Sequence, residues 1–79
     1  MTREERRIPV AALGAGPYAN HDRIVVAVAL ELRLEPQEIE NVLQRLRVRQ
    51  VLICVSSART PNESALVRYQ KGMNWTEEA

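Results

Sequence analysis

The sequence predicts an α+β fold in which helices lead into a two-stranded β-hairpin, and three stretches carry that reading. Residues 35–50, EPQEIENVLQRLRVRQ, place Ile39, Val42, Leu43 and Leu46 at i, i+3, i+4 and i+7, a single apolar stripe along an α-helix. Just upstream, Ile24, Val25, Val28, Ala29 and Leu32 repeat the helical spacing. Downstream, residues 51–55 and 65–70 are rich in β-formers and flank a loop, 56–64, of Ser, Pro and Asn. Helix, tight turn, helix, strand, long loop, strand is the order of a winged helix-turn-helix. The 36–49 helix then takes the recognition position and 56–64 is the wing.

Seventy-nine residues make one domain with a small core. The sequence has no Phe, one Trp and two Tyr, so that core must be built from Val, Leu, Ile and Ala. The reading divides the chain into a flexible segment 1–7, a winged-helix domain 8–72 and a tail 73–79. Residues 8–13, IPVAAL, form either a short helix with Pro9 in its first turn or a short strand with Pro9 at its start, and the helix is preferred. Gly14, Gly16 and Pro17 then break regular structure. Asn20 or Asp22 caps the next helix, which runs to Leu32. Its β-branched Val25, Val26 and Val28 lower intrinsic helix propensity, so packing must hold it. Residues 33–35 turn the chain into the next helix, with Pro36 where a first helical residue lacks a hydrogen-bond partner anyway. The run Val51–Val55 reads as a strand covered on both faces, and Gly72 ends the returning strand.

Composition excludes several classes of function. The net charge of +1 is no global basic signal. The single Cys54 rules out an intramolecular disulfide and fits a reducing, cytoplasmic setting. Flanked by Ile53 and Val55, it is expected to be buried and inert. No apolar run is long enough to span a bilayer, and MTREERR lacks the apolar stretch of a secretory leader. His21 is the only histidine and lies near a helix start, where a surface or loop role is expected. One Cys and one His make no zinc site and no supported nucleophile, so neither an enzyme nor a metal or other cofactor is expected. Gly14 and Gly16 lack the third glycine or the Lys-Ser/Thr of a phosphate loop and read as a turn.

The segment AVALELRLEPQEIENVLQRLRVRQVLI resembles the helix-turn-helix and first wing strand of bacterial winged-helix regulators of the GntR and MarR kind. Ala29, Leu32 and Leu34 match the first helix and turn, and Val42, Leu43 and Leu46 match the stripe of the second helix. Val51, Leu52 and Ile53 match the strand entry, while Gln50 stands where those regulators usually have Gly, which implies a looser joint. The resemblance covers about half the chain and is one of pattern. It implies sequence-specific binding of double-stranded DNA, and the small size resembles compact phage- or plasmid-type regulators.

On that implication Gln37, Asn41, Gln44 and Arg45 face the major groove, where amide and guanidinium groups read adenine and guanine edges. Arg47, Arg49, Arg59 on the wing and Arg68 hold phosphates. A homodimer is expected, since two-fold regulators pair on palindromic sites. The opposing observation is Glu35, Glu38 and Glu40, three carboxylates on the same helix that phosphates repel. They favour a second reading, a winged helix that binds protein through this acidic face, as an inhibitor or assembly adaptor.

The helix assignment has a direct test. Leu43→Asp puts an unpaired carboxylate into the stripe and should unfold the domain, because such a group costs several kcal/mol against a total stability of about 5–15 kcal/mol. Gln44→Ala on the opposite side should shift stability by no more than about 0.5 kcal/mol. Equal melting temperatures for the two variants would mean that the helix face is misassigned.

Overall fold

The structure is a computed structural model and describes residues 3–57 and 65–76. Three helices, α1 (Arg3–Gly14), α2 (His21–Leu32) and α3 (Pro36–Val48), are followed by strands β1 (Leu52–Ser57) and β2 (Leu66–Lys71). The strands form one antiparallel hairpin with Leu52 opposite Lys71 and Ser57 opposite Leu66. This is the α+β, winged-helix layout. The loop that joins the strands, with Arg59, lies outside the described residues.

Helix α1 begins five residues before the expected short helix, and Pro9 lies in its middle rather than in its first turn. Proline has no N–H to give to the carbonyl of Glu5, which weakens an isolated helix. Tertiary burial offsets that loss, since Ile8, Pro9 and Ala12 are all buried. Polar residues 3–7 gave no periodic signal, so the first turn of this helix could not be seen in the sequence.

Asn20 caps α2, its side chain accepting from the Arg23 N–H at 3.1 Å. The helix closes on Arg33, which takes a left-handed conformation (φ 57°), and the N–H of Leu34 returns to the Ala29 carbonyl at 3.0 Å. Glu35 sits at the N-cap of α3 without a side-chain cap bond, and Pro36 opens the helix. Ile39, Val42, Leu43 and Leu46 are buried against Ile8, Ala12, Ile24, Val25, Val28, Ala29, Leu52 and Tyr69. Every element contributes to this one core.

The hairpin departs from expectation in one respect. Strand β1 is covered on one face only: Leu52 is buried, whereas Ile53 is 45% exposed. Among the described residues the hairpin has helices behind it and no element in front, so alternate side chains of β1 face outward. The second edge of β2 is occupied at one point, because Tyr18, in the expected loop, exchanges two backbone hydrogen bonds with Val67 at 2.8 and 3.0 Å.

The joint between α3 and β1 is tight despite the absence of glycine at position 50. Gln50 adopts φ 60°, and its carbonyl receives the N–H of Asn74 at 3.0 Å. The N–H of Gly72 bonds the Val51 carbonyl at 2.9 Å. A Cβ at Gly72 would collide with the carbonyl of Gln50, so the close approach is permitted by the glycine on the other side of the joint. Gln50→Gly should therefore stabilise the domain by up to about 1 kcal/mol by relieving a left-handed non-glycine residue. Gly72→Ala should destabilise it by about 1–3 kcal/mol. Denaturant midpoints check both, and a neutral Gly72→Ala would refute the proposed contact.

Candidate nucleic-acid interface

Helix α3 has its stripe in the core, so the residues at the complementary spacing form its solvent pole. These are Gln37, Asn41, Gln44 and Val48 at i, i+4, i+7 and i+11, all exposed. The Gln37 amide donates to the Asn41 side-chain carbonyl oxygen at 3.0 Å, which aligns two of the three amides along the helix. Asn41, Gln44, Arg45, Val48 and Arg49 line one shallow depression on this surface. Val48 is 78% exposed, an apolar end to an otherwise polar row, and was not among the residues expected to make contacts.

The basic residues that the sequence grouped together do not share one face. Arg45 and Arg49 belong to the outer depression, and the Arg49 carbonyl also accepts from the Asn74 side chain at 2.8 Å. Arg47 instead lines a second hollow with Gln50, Leu52, Ile53, Cys54 and Met73, between the end of α3 and β1. Arg68 is exposed on β2 opposite Val55. Arg59 lies outside the described residues.

The acids are also divided. Glu35, Glu38 and Glu40 are all exposed, but none lies on the Gln37–Asn41–Gln44–Val48 row. Glu40 and Arg47 both act electrostatically on His21 and Tyr69, which puts them on the flank of α3 that faces α2 and β2.

That flank holds the feature that sequence reasoning missed. His21, at the start of α2, is half-buried, not a plain surface residue, and its Nε2 lies 2.6 Å from the Tyr69 hydroxyl on β2. Their rings meet edge to face at 5.6 Å between centroids. Tyr69 is buried, and burial pushes its hydroxyl up to about 12. Burial also lowers the His21 pKa, helped by the positive charge of Arg47 and opposed by Glu40 and Asp22. Cys54 is half-buried rather than buried and lies across the ladder from Tyr69. Among the described residues there is no cluster of acids, histidines or cysteines that could hold a metal ion, and no helix is long and apolar enough to cross a membrane.

The C-terminal residues add a brace. Trp75 packs against the core, and its backbone N–H donates to the Gly72 carbonyl at 3.1 Å. Lys71 Nζ lies 5.8 Å from the centre of the Trp75 ring, and Arg6 Nη2 reaches the Thr76 carbonyl at 3.4 Å. Compared with known protein families, curated proteins and solved structures, the chain matches none.

The His21–Tyr69 contact has a pH signature. A histidine whose pKa is lowered on folding favours the neutral form, so its contribution is present above about 6.5, the unfolded value, and declines as pH falls below it. Denaturation at pH 7.5 and pH 5.5 should show the wild-type domain weaker at the lower pH. His21→Gln should flatten that difference. Identical pH dependence in the two proteins would rule out His21 as its source.

Proposed function

We propose that this domain is a sequence-specific DNA-binding protein, a small transcriptional regulator of the winged-helix kind, with the outer face of α3 in the major groove and the hairpin against the backbone. The observation that carries the reading is the row Gln37, Asn41, Gln44 and Val48, exposed on the pole of α3 with Arg45 and Arg49 beside it. Gln and Asn pair with adenine, Arg with guanine, and a small apolar side chain suits the thymine methyl group, so the row offers chemistry for base edges. Glu38 and Glu40 stand off the row, Glu38 on the flank of Arg45 and Glu40 on the flank of Arg47. Arg49 and Arg68 are available for phosphates, with Arg47 on the strand side of the helix end.

A second reading, a protein-binding module, is favoured by the exposure of Glu35, Glu38 and Glu40 together with apolar Val48 and Met73. A basic partner would suit that combination, and replacing the three acids by Gln would abolish its binding.

Duplex binding measured against salt separates the two. On the DNA reading, Arg68→Ala should weaken binding to all duplexes alike and make the slope of log K against log salt shallower by about one. Arg45→Ala should lose about 1–3 kcal/mol on the preferred site and blur discrimination there. Replacing Glu35, Glu38 and Glu40 by Gln should tighten non-specific binding. If that triple variant shows no salt-dependent binding to any duplex at low ionic strength, DNA is not the ligand.

A further inference from the structure

The bond between Gln37 and Asn41 makes the two amides unequal. Nε2 of Gln37 donates to Oδ1 of Asn41 at 3.0 Å, one turn along the exposed pole of α3. An amide oxygen has two lone pairs and an amide nitrogen two N–H groups. Once Oδ1 has taken the Gln37 N–H, Asn41 keeps one acceptor site on Oδ1 and both donors on Nδ2. Among the described residues no other side-chain hydrogen bond uses them. Turning the Asn41 amide over would set its NH2 against the NH2 of Gln37, donor against donor, so the bond fixes which end of Asn41 accepts. Asn41 lines the shallow depression with Gln44, Arg45, Val48 and Arg49, whereas Gln37 does not. Gln37 therefore stands behind Asn41, in the first turn of the helix.

The pattern left on Asn41, an acceptor beside a donor, complements one base edge in the major groove. Adenine presents its N6 amino donor beside the N7 acceptor. Guanine presents two acceptors, O6 and N7, and would set one of them against Oδ1. Cytosine and thymine each offer a single hydrogen-bonding group there. The N-terminal part of a recognition helix is the part that contacts base edges, and Asn41 lies in the first half of α3.

We infer that Asn41 reads one adenine of the bound duplex, Oδ1 accepting from N6 and Nδ2 donating to N7, and that Gln37 is the positioning residue that holds Asn41 for it. This rests on the DNA-binding reading above and goes further, since it assigns one base to one residue and a separate role to its neighbour. Asn41 is held before the duplex arrives, so less rotamer freedom is lost on binding.

Selection of duplexes from a randomised pool by the full chain, followed by affinity measurements on the selected site, tests it. One adenine of that site should be required. Replacing it by 7-deazaadenine, which lacks N7, or by 2-aminopurine, which lacks the N6 amino group, should each weaken binding about two- to tenfold. Asn41→Ala should bind the selected site about ten- to a hundredfold more weakly and should be indifferent to both replacements. Gln37→Met keeps the length of the side chain and loses the donor. It should lose part of the discrimination at that base pair alone, bind unrelated duplex as the wild type does, and add nothing in the Asn41→Ala background. Absence of salt-dependent duplex binding at low ionic strength would overturn the DNA reading and this inference with it. Duplex binding in which no adenine responds to either replacement, or in which Asn41→Ala keeps the response, would overturn the adenine assignment and leave duplex binding itself standing. Gln37→Met with wild-type discrimination would overturn the positioning role.

Discussion

The constraint on which the whole structure depends is a single small core without phenylalanine. Three helices and a hairpin each have only a few side chains to give it, so each must present its apolar stripe to the same point. Ile39 and Leu43 from α3 are fully buried there, with Ile8 and Ala12 from α1, Ile24 and Val28 from α2, and Leu52 from β1. A core of this size leaves little stability in reserve. That is why Pro9 is tolerated inside α1: its ring is itself part of the buried volume.

A hairpin with one covered face cannot orient itself, and three contacts orient it here. Tyr18 pairs with Val67 along the edge of β2, His21 meets the Tyr69 hydroxyl from α2, and Gly72 closes on the backbone of Gln50 and Val51. Together they hold the strands relative to α2 and to the end of α3. Any ligand that engages both α3 and the hairpin depends on this spacing. The residues responsible touch the framework rather than the outer face of α3.

Two of the helices have exposed outer poles among the described residues, and the chemistry of the two differs. The pole of α3 is a row of amides that ends in an exposed valine, with an acid and a base on each flank. The pole of α2 is apolar in its middle and charged at both ends. A row of amides suits recognition by hydrogen bonds, whereas the apolar centre of α2 has one acid and one base at each end.

The sequence by itself determined what depends on local periodicity. The stripe of α3, a cap for α2 at Asn20 or Asp22 (it is Asn20), the turn at Arg33 and the two-strand hairpin were legible because spacing and capping chemistry act within a few residues. Tertiary structure decided what depends on distant partners. The start of α1 at Arg3, the one-sided cover of β1 and the half-burial of Cys54 all follow from what packs against those residues. His21 and Tyr69 are 48 residues apart, so no window of sequence could pair them. The same holds for Gln50, whose left-handed turn is held by glycine and asparagine more than twenty residues later. Arg47 and Arg49, two positions apart, point to different surfaces because successive helical residues turn by about 100°, and only the packed strand shows that one of those surfaces is a hollow beside β1.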